Sequence, residues 1–274
     1  MIEENRMSEN VCVDAAAARD CAQPRRVIDD AELKRMMAAE RGTFFQRNSY
    51  QMITLALIAI NVAVYLVEAY LSGFSFDISS RVLVDMGAMY PPLVQSAGDW
   101  YRFVAPMFLH LDLMHLAFNM VALYSVGALL EQVLGKANFI ALYFVAGVTG
   151  NAVSYLAGMM AHGAAPISAG ASTSVFGLFV ATALLGVLHR EGRMFFAEYS
   201  KGMWGVIAAN VAYSFLVPGV SISGHLGGAV GGAIAMLMLP EPGLRTRPLG
   251  RIAVFLAWAA FLGWVCVEAG IIGG

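Results

Sequence analysis

The sequence predicts an all-α polytopic membrane protein, and three observations predict it. Of 274 residues, 59% are hydrophobic and only 13% charged, against roughly 45–50% apolar and about 25% charged in soluble domains. The apolar residues gather into seven runs, at about 51–71, 108–133, 138–161, 171–189, 203–219, 225–239 and 250–271, most of them near the ~20 residues that cross a bilayer. The basic residues fall in alternate connections between those runs. With the N-terminus inside, fifteen of the 17 Lys and Arg lie on the inner side and only Arg81 and Arg102 outside. Lys and Arg are retained on the cytoplasmic side, so the chain is expected in a bacterial plasma membrane, with its N-terminus cytoplasmic and its C-terminus outside.

Residues 1–48 carry eight of the basic residues and no long apolar run. They read as a cytoplasmic tail, with a short amphipathic helix over 28–41, and are too polar for a signal peptide. Residues 49–240 form the membrane core. The first outer connection, about 72–107, is long and holds Phe74, Phe76, Tyr90, Trp100 and Tyr101. Aromatic rings favour the headgroup level, so it is expected to be ordered and to lie partly in the interface. The sixth run is short and Gly-rich, but dropping it would scramble the alternation of charge. Residues 241–274 are a linker and a seventh helix. A net charge of −2 argues against a nucleic-acid partner. Cys12 and Cys21 lie in the tail and Cys266 in the last run. They make neither a disulfide framework nor a metal cluster, and no cofactor is expected. Nothing in the sequence fixes an oligomeric state.

In this orientation spans two, four and six all begin on the outer side. They bring His110, His115 and Asn119, then Ser172, then His225, to one depth. Polar groups in a bilayer are costly, about 2.5–3.5 kcal/mol for a charge on insertion scales, and point to function. Ser172 follows Gly170-Ala171 at a helix start, where free backbone N–H groups and the helix dipole stabilise a forming oxyanion. A serine at a helix start also serves as an N-cap, and Thr173 and Ser174 are competing hydroxyls. Gly228 and Gly232 share the face of His225, and small residues there let another helix approach closely. If that helix is span four, His225 reaches Ser172 and acts as general base, then general acid; otherwise it is a packed structural histidine. His115 and Asn119, one turn apart, suit an oxyanion hole. His110 reads as a structural hydrogen-bonder. A metal held by His110, His115 and His225 lacks a completing ligand, so none is expected. Asp112 is expected to face the headgroups. No acid is then placed to orient His225, which favours a dyad over a triad.

Together these residues resemble the rhomboid family of intramembrane serine proteases. Gly170-Ala171-Ser172 matches its Gly-x-Ser-Gly, with Thr173 where glycine is usual. His225, Gly228 and Gly232 match its His-x-x-Gly-x-x-x-Gly, and His110, His115 and Asn119 its His-x4-His-x3-Asn. Tyr101-Arg102, with Trp100 before it, resembles the Trp-Arg element of the first loop. Gly127 to Gly135 with Glu131, and Gly150-Asn151, are further family-like pieces. The resemblance covers about residues 50–240 and implies a six-helix core, with 250–271 an added seventh helix. It implies Ser172 as nucleophile and His225 as base. The oxyanion donors would be the Ser172 backbone N–H, His115 and Asn119. His110, Gly170, Phe176 (packing on the histidine), Gly228, Gly232 and Arg102 support the site. Gly224 stands where alanine is frequent. The implied substrates are single-pass transmembrane proteins with helix-destabilising residues. They would enter laterally from the lipid past a gate formed by 218–224 and span five, and be cut near the outer face. The alternatives are a weakly active or inactive rhomboid-like protein that binds membrane clients, and a small transporter. A transporter would show repeats or broken paired helices, and no clear internal repeat is present.

Overall fold

A single charged residue among twenty, Glu68, interrupts the first long helix, α1 (Met52–Leu71). In the computed structural model, residues 48–161, 167–188, 221–240, 244 and 246–272 are described, with Gly202 and Gly205 as isolated positions. The tail expected over 1–48, its helix over 28–41, and almost all of span five (203–219) lie outside the described residues.

α1 ends where the chain turns through Gly73 and Phe74, both left-handed at φ 77° and 62°. The turn is closed by Phe74 N–H donating to the Ala69 carbonyl at 2.8 Å. The long connection that follows, expected on the outer side, is ordered. It holds two short helices, α2 (Ser80–Asp85) and α3 (Pro91–Ala97), then two 3-10 turns at Trp100–Phe103 and Ala105–Phe108. Ser79 caps α2 by accepting from Val82 N–H, and a proline opens α3, where its missing N–H costs nothing. Arg102 is buried beneath this loop. Its guanidinium donates to the carbonyls of Val84 (2.8 Å) and Ala88 (2.9 Å) and to the Asp99 carboxylate (2.9 Å). Phe74, Phe76 and Trp100 stay exposed on the outside.

The second span was expected to start near 108. The helix, α4 (Leu113–Leu134), starts later, because Leu109 is extended after the 3-10 turn and Asp112 is the N-cap. The Asp112 carboxylate accepts from His115 N–H at 2.8 Å. Asp112 is therefore the half-buried N-cap of α4, and His110 lies before the helix.

Gly135 at φ 77° separates α4 from α5 (Lys136–Met160). α6 (Ser172–Leu188), α7 (Ile222–Met238) and α8 (Pro248–Glu268) follow. Ser221 caps α7 and residues 222–224 are its first turn, so that part of the expected gate loop 218–224 belongs to a helix. α1, α4, α5 and α8 are long and apolar enough to cross a membrane. α6 and α7 have 17 residues each, about 25 Å at the helical rise. The sixth run reads as short because it is short.

α5, α6 and α7 pack on one another at the centre, and α4 packs on α1 and α6. α8 leans on α7 and α5, where Trp258 Nε1–H donates to Thr149 Oγ1 at 2.9 Å. Its Val265 and Ala269 pack with Phe103 and Tyr155, while Ile252, Phe255, Leu256 and Trp264 face outward.

Glu131 fastens α4 to the start of α1. Its buried carboxylate accepts from Ile53 N–H, Thr54 N–H and Thr54 Oγ1–H, each at 2.9 Å. Gly127, one turn earlier, makes room, because a Cβ there would stand 2.6 Å from Thr54 Cγ2. We predict that Glu131→Ala costs about 3 kcal/mol, since it strands buried donors, and that Thr54→Val costs about 1 kcal/mol. Thermal unfolding in detergent micelles would read both.

Candidate active site

The chain enters α6 through Gly170, whose φ of 138° is open to glycine but strained for other residues. Gly170 N–H donates to the Pro106 carbonyl at 2.8 Å, which ties this entry to the segment before α4. A Cβ on Gly170 would lie 2.9 Å from His115 Nε2 and 3.2 Å from Ser172 Oγ. A side chain there would run into the His115 ring, whose Cε1 would lie 2.7 Å away, so glycine lets the histidine ring come up against the entry to α6.

Ser172 is the first residue of α6. Ala171 supplies the first helical carbonyl, accepting from Val175 N–H at 3.0 Å. The Ser172 hydroxyl bonds across to α7, 2.8 Å from His225 Nε2. The competing hydroxyls are elsewhere. Thr173 Oγ1 and Ser174 Oγ are buried with no hydrogen-bond partner among the described residues, and Ser174 packs on Gly147.

His225 sits in the first turn of α7, 7% exposed. Ser221 Oγ, the cap, accepts from Gly224 N–H and lies 3.0 Å from Ser154 Oγ of α5, which fixes the start of α7. The Phe176 ring stacks on the His225 ring, centroids 4.1 Å apart and planes 15° apart. α6 is the helix that the small residues admit. A Cβ on Gly228 would run into the Thr173 carbonyl, and one on Gly232 into the backbone of Gly177.

From α4, His115 turns its Nδ1 toward Leu111 N–H, which donates to it at 3.5 Å. With Nδ1 an acceptor, the neutral ring carries its hydrogen on Nε2, the atom beside Gly170. Asn119 donates one amide hydrogen to the His115 carbonyl at 2.9 Å, and an amide nitrogen has a second to offer. His110 is fully buried, and its ring nitrogens have no partner among the described residues. Burial, and next the neighbouring His115, hold it well below the ordinary histidine value, so the ring is neutral. The hydrogen bonding expected of its side chain is made by its backbone, whose N–H points at the Glu68 carboxylate. Arg102 organises the outer loop and bonds to none of these groups. Among the described residues, no group of three His, Cys, Asp or Glu side chains is placed to hold a metal.

Thr173 departs from the usual glycine without conformational strain. It lies in α6, and Phe74 is the only non-glycine residue with positive φ among those described. Its volume is accommodated by neighbouring glycines. A Cβ on Gly150 would stand 2.8 Å from Thr173 Cβ, and one on Gly224 3.2 Å from Thr173 Cγ2. Thr173 and Gly224 exchange bulk across the α6–α7 contact only in part, because a Cβ on Gly224 would stand closer still to Ser221 Oγ, at 2.9 Å.

Two positions escaped the sequence reading. Ser221 is signalled only by its place before a helix. Glu68 is signalled by being the one charge in an apolar span.

A family model described as the rhomboid domain matches residues 97–242. The rhomboid protease GluP of Bacillus subtilis is 29% identical over 254 residues, covering 88% of this chain and 47% of that protein. The putative rhomboid protease YdcA of the same organism is 33% identical over 135 residues, 49% of this chain and 65% of that one. Rhomboid-like protease 1 of Toxoplasma gondii is 30% identical over 226 residues, covering 79% and 71%. The chain thus spans about half the length of GluP and just under two thirds of YdcA.

We predict that Gly224→Ala alone destabilises the protein by about 1–2 kcal/mol through overpacking, and that combining it with Thr173→Gly recovers the part of that loss due to Thr173, leaving the part due to Ser221 Oγ. A double-mutant cycle on unfolding temperature reads the coupling, and additive effects would contradict the exchange.

Proposed function

We propose that the chain, which belongs to the rhomboid family, is an intramembrane serine endopeptidase that cuts transmembrane segments near the outer face with a Ser172–His225 dyad. The observation that carries this reading is the 2.8 Å contact between Ser172 Oγ and His225 Nε2 at the starts of two adjoining helices. His225 Nε2 takes the hydroxyl proton as Ser172 Oγ attacks the substrate carbonyl, and then passes it to the leaving amine. Water repeats the sequence on the acyl-enzyme. The negative charge that develops on the carbonyl oxygen is received beside Ser172, on the side that faces α4. There it meets the Ser172 backbone N–H, the His115 Nε2–H and the second amide hydrogen of Asn119. Phe176 holds the imidazole in plane, and Gly228 and Gly232 hold its helix close.

The partners in this reading are single-pass membrane proteins, reached laterally from the lipid. Their segments must unwind at the cut, because a helix satisfies its own carbonyls. Span five is the proposed gate. The same reading puts the protein in a bacterial plasma membrane with the N-terminus cytoplasmic and the C-terminus outside, and the distribution of Lys and Arg supports it.

A fluorophosphonate probe tests the reading. We expect the folded protein to be labelled, and Ser172→Ala and His225→Ala each to abolish labelling. Labelling that survives Ser172→Ala, or none on folded wild-type protein, would overturn the dyad. Removing one oxyanion donor, by His115→Ala or Asn119→Ala, is expected to slow turnover about 10²–10³-fold, measured as cleavage of a single-pass reporter in vesicles. A disulfide locking span five to α4 is expected to block that cleavage, and unchanged turnover would remove the gate.

A further inference from the structure

We infer that Glu68 is a positioning residue for the oxyanion side of the site, acting through the backbone of His110 and Leu111 on the ring of His115. This rests on the dyad reading above.

Glu68 is fully buried in α1. A carboxyl group at that depth needs donors, and the structure supplies an unusual one. Its Oε1 and Oε2 lie 3.3 and 3.2 Å from the backbone nitrogen of His110. That N–H has no helical carbonyl to bond, because the chain is extended at Leu109 and α4 begins only at Leu113. The next two residues pass the constraint on. Leu111 N–H donates to His115 Nδ1 at 3.5 Å. The Leu111 carbonyl accepts from Ile78 N–H at 2.8 Å. Asp112 caps the turn that carries His115. The His110 ring packs edge-on against the His115 ring, centroids 5.3 Å apart.

The chemical effect is on the tautomer. With Leu111 N–H held at Nδ1, Nε2 carries the hydrogen and faces the space beside Ser172 Oγ. If residues 110–111 turned, the other tautomer would aim a lone pair at the forming oxyanion. Glu68 thus sets, from another helix, which nitrogen of His115 is a donor. It is not the only tie between α1 and this region. Tyr65 O–H donates to the Phe76 carbonyl at 2.6 Å, and Asp77 pairs with Asp112 as an antiparallel bridge. Losing Glu68 therefore leaves the loop attached through Ile78 and Asp77 and releases the His110 N–H, next to the peptide that faces His115.

The test uses the full chain in phospholipid vesicles and the rate of fluorophosphonate labelling, since the phosphonyl oxygen occupies the oxyanion space. Glu68→Ala is expected to slow labelling about tenfold, and Glu68→Gln, whose amide oxygen still accepts from His110 N–H, to restore most of the rate. Adding Glu68→Ala to His115→Ala is expected to cause no further loss, because the first acts through the second. Equal factors in both backgrounds, or rates that simply follow unfolding temperature, would overturn the inference. Should Glu68→Ala not fold, the imidazole nitrogen resonances of His115 are compared between the wild type and Glu68→Asp, whose shorter side chain falls short of His110 N–H. A protonated Nδ1 in the wild type, or the same tautomer population in both proteins, overturns the inference, and a protonated Nε2 that is depleted in Glu68→Asp upholds it. Wild-type protein with no Ser172-dependent labelling would sink the protease reading itself, whereas normal labelling of Glu68→Ala sinks only the role of Glu68.

Discussion

Where α7 crosses α6 the two backbones touch, and that contact sets Ser172 beside His225. Gly228 rests on the Thr173 carbonyl and Gly232 on Gly177. On the other side of the same helix, Gly227 meets Val153 and Gly231 meets Thr149 and Ala146 of α5. α7 is a helix with little side chain on two faces, inserted between two others. Lipid tails are as apolar as leucine, so association in a bilayer draws on close packing and hydrogen bonds. Backbone contact gives the tightest packing available. It also has no rotamer through which to relax, so the separation of Ser172 and His225 is a property of two helix axes.

Around this contact, buried polar side chains bond to backbone groups that no regular element satisfies. Glu131 takes the first N–H groups of α1, Arg102 the carbonyls at the ends of α2 and before α3, and Asn151 donates to the Phe103 carbonyl at 3.0 Å. Each ties a span to the next segment at one point. Trp258 does the same for α8 through Thr149, which itself packs on Gly231. The last helix is thereby connected, through two side chains, to the helix that carries His225.

Much of this was legible in the sequence, for identifiable reasons. The fold class followed from apolar runs and charge, because the bilayer imposes both. The pairing of α7 with α6 followed from glycines at helical spacing on the face of His225. Helix starts were less legible. Phe108 to Leu111 is as apolar as the helix that follows, and hydropathy cannot register the 3-10 turn through Pro106 or the cap at Asp112. The effect of Thr173 was hidden because a motif does not say which of its glycines needs a left-handed backbone. Gly170 does, and position 173 does not. Glu68 was hidden because its partner is a backbone N–H, which leaves no mark on the residue that provides it.

Phe74 is left-handed, an arrangement that costs a non-glycine residue about 1–2 kcal/mol, yet its ring is 80% exposed, with only Tyr70 against its edge. The corner is closed by its backbone, with Phe74 N–H on the Ala69 carbonyl at 2.8 Å and Gly73 N–H on the Tyr70 carbonyl at 3.1 Å. It ends the last turn of α1, the turn that carries Glu68. What position 74 supplies to the fold is therefore a backbone conformation and an N–H, and the chemistry of its ring is left free to suit whatever surrounds the protein there.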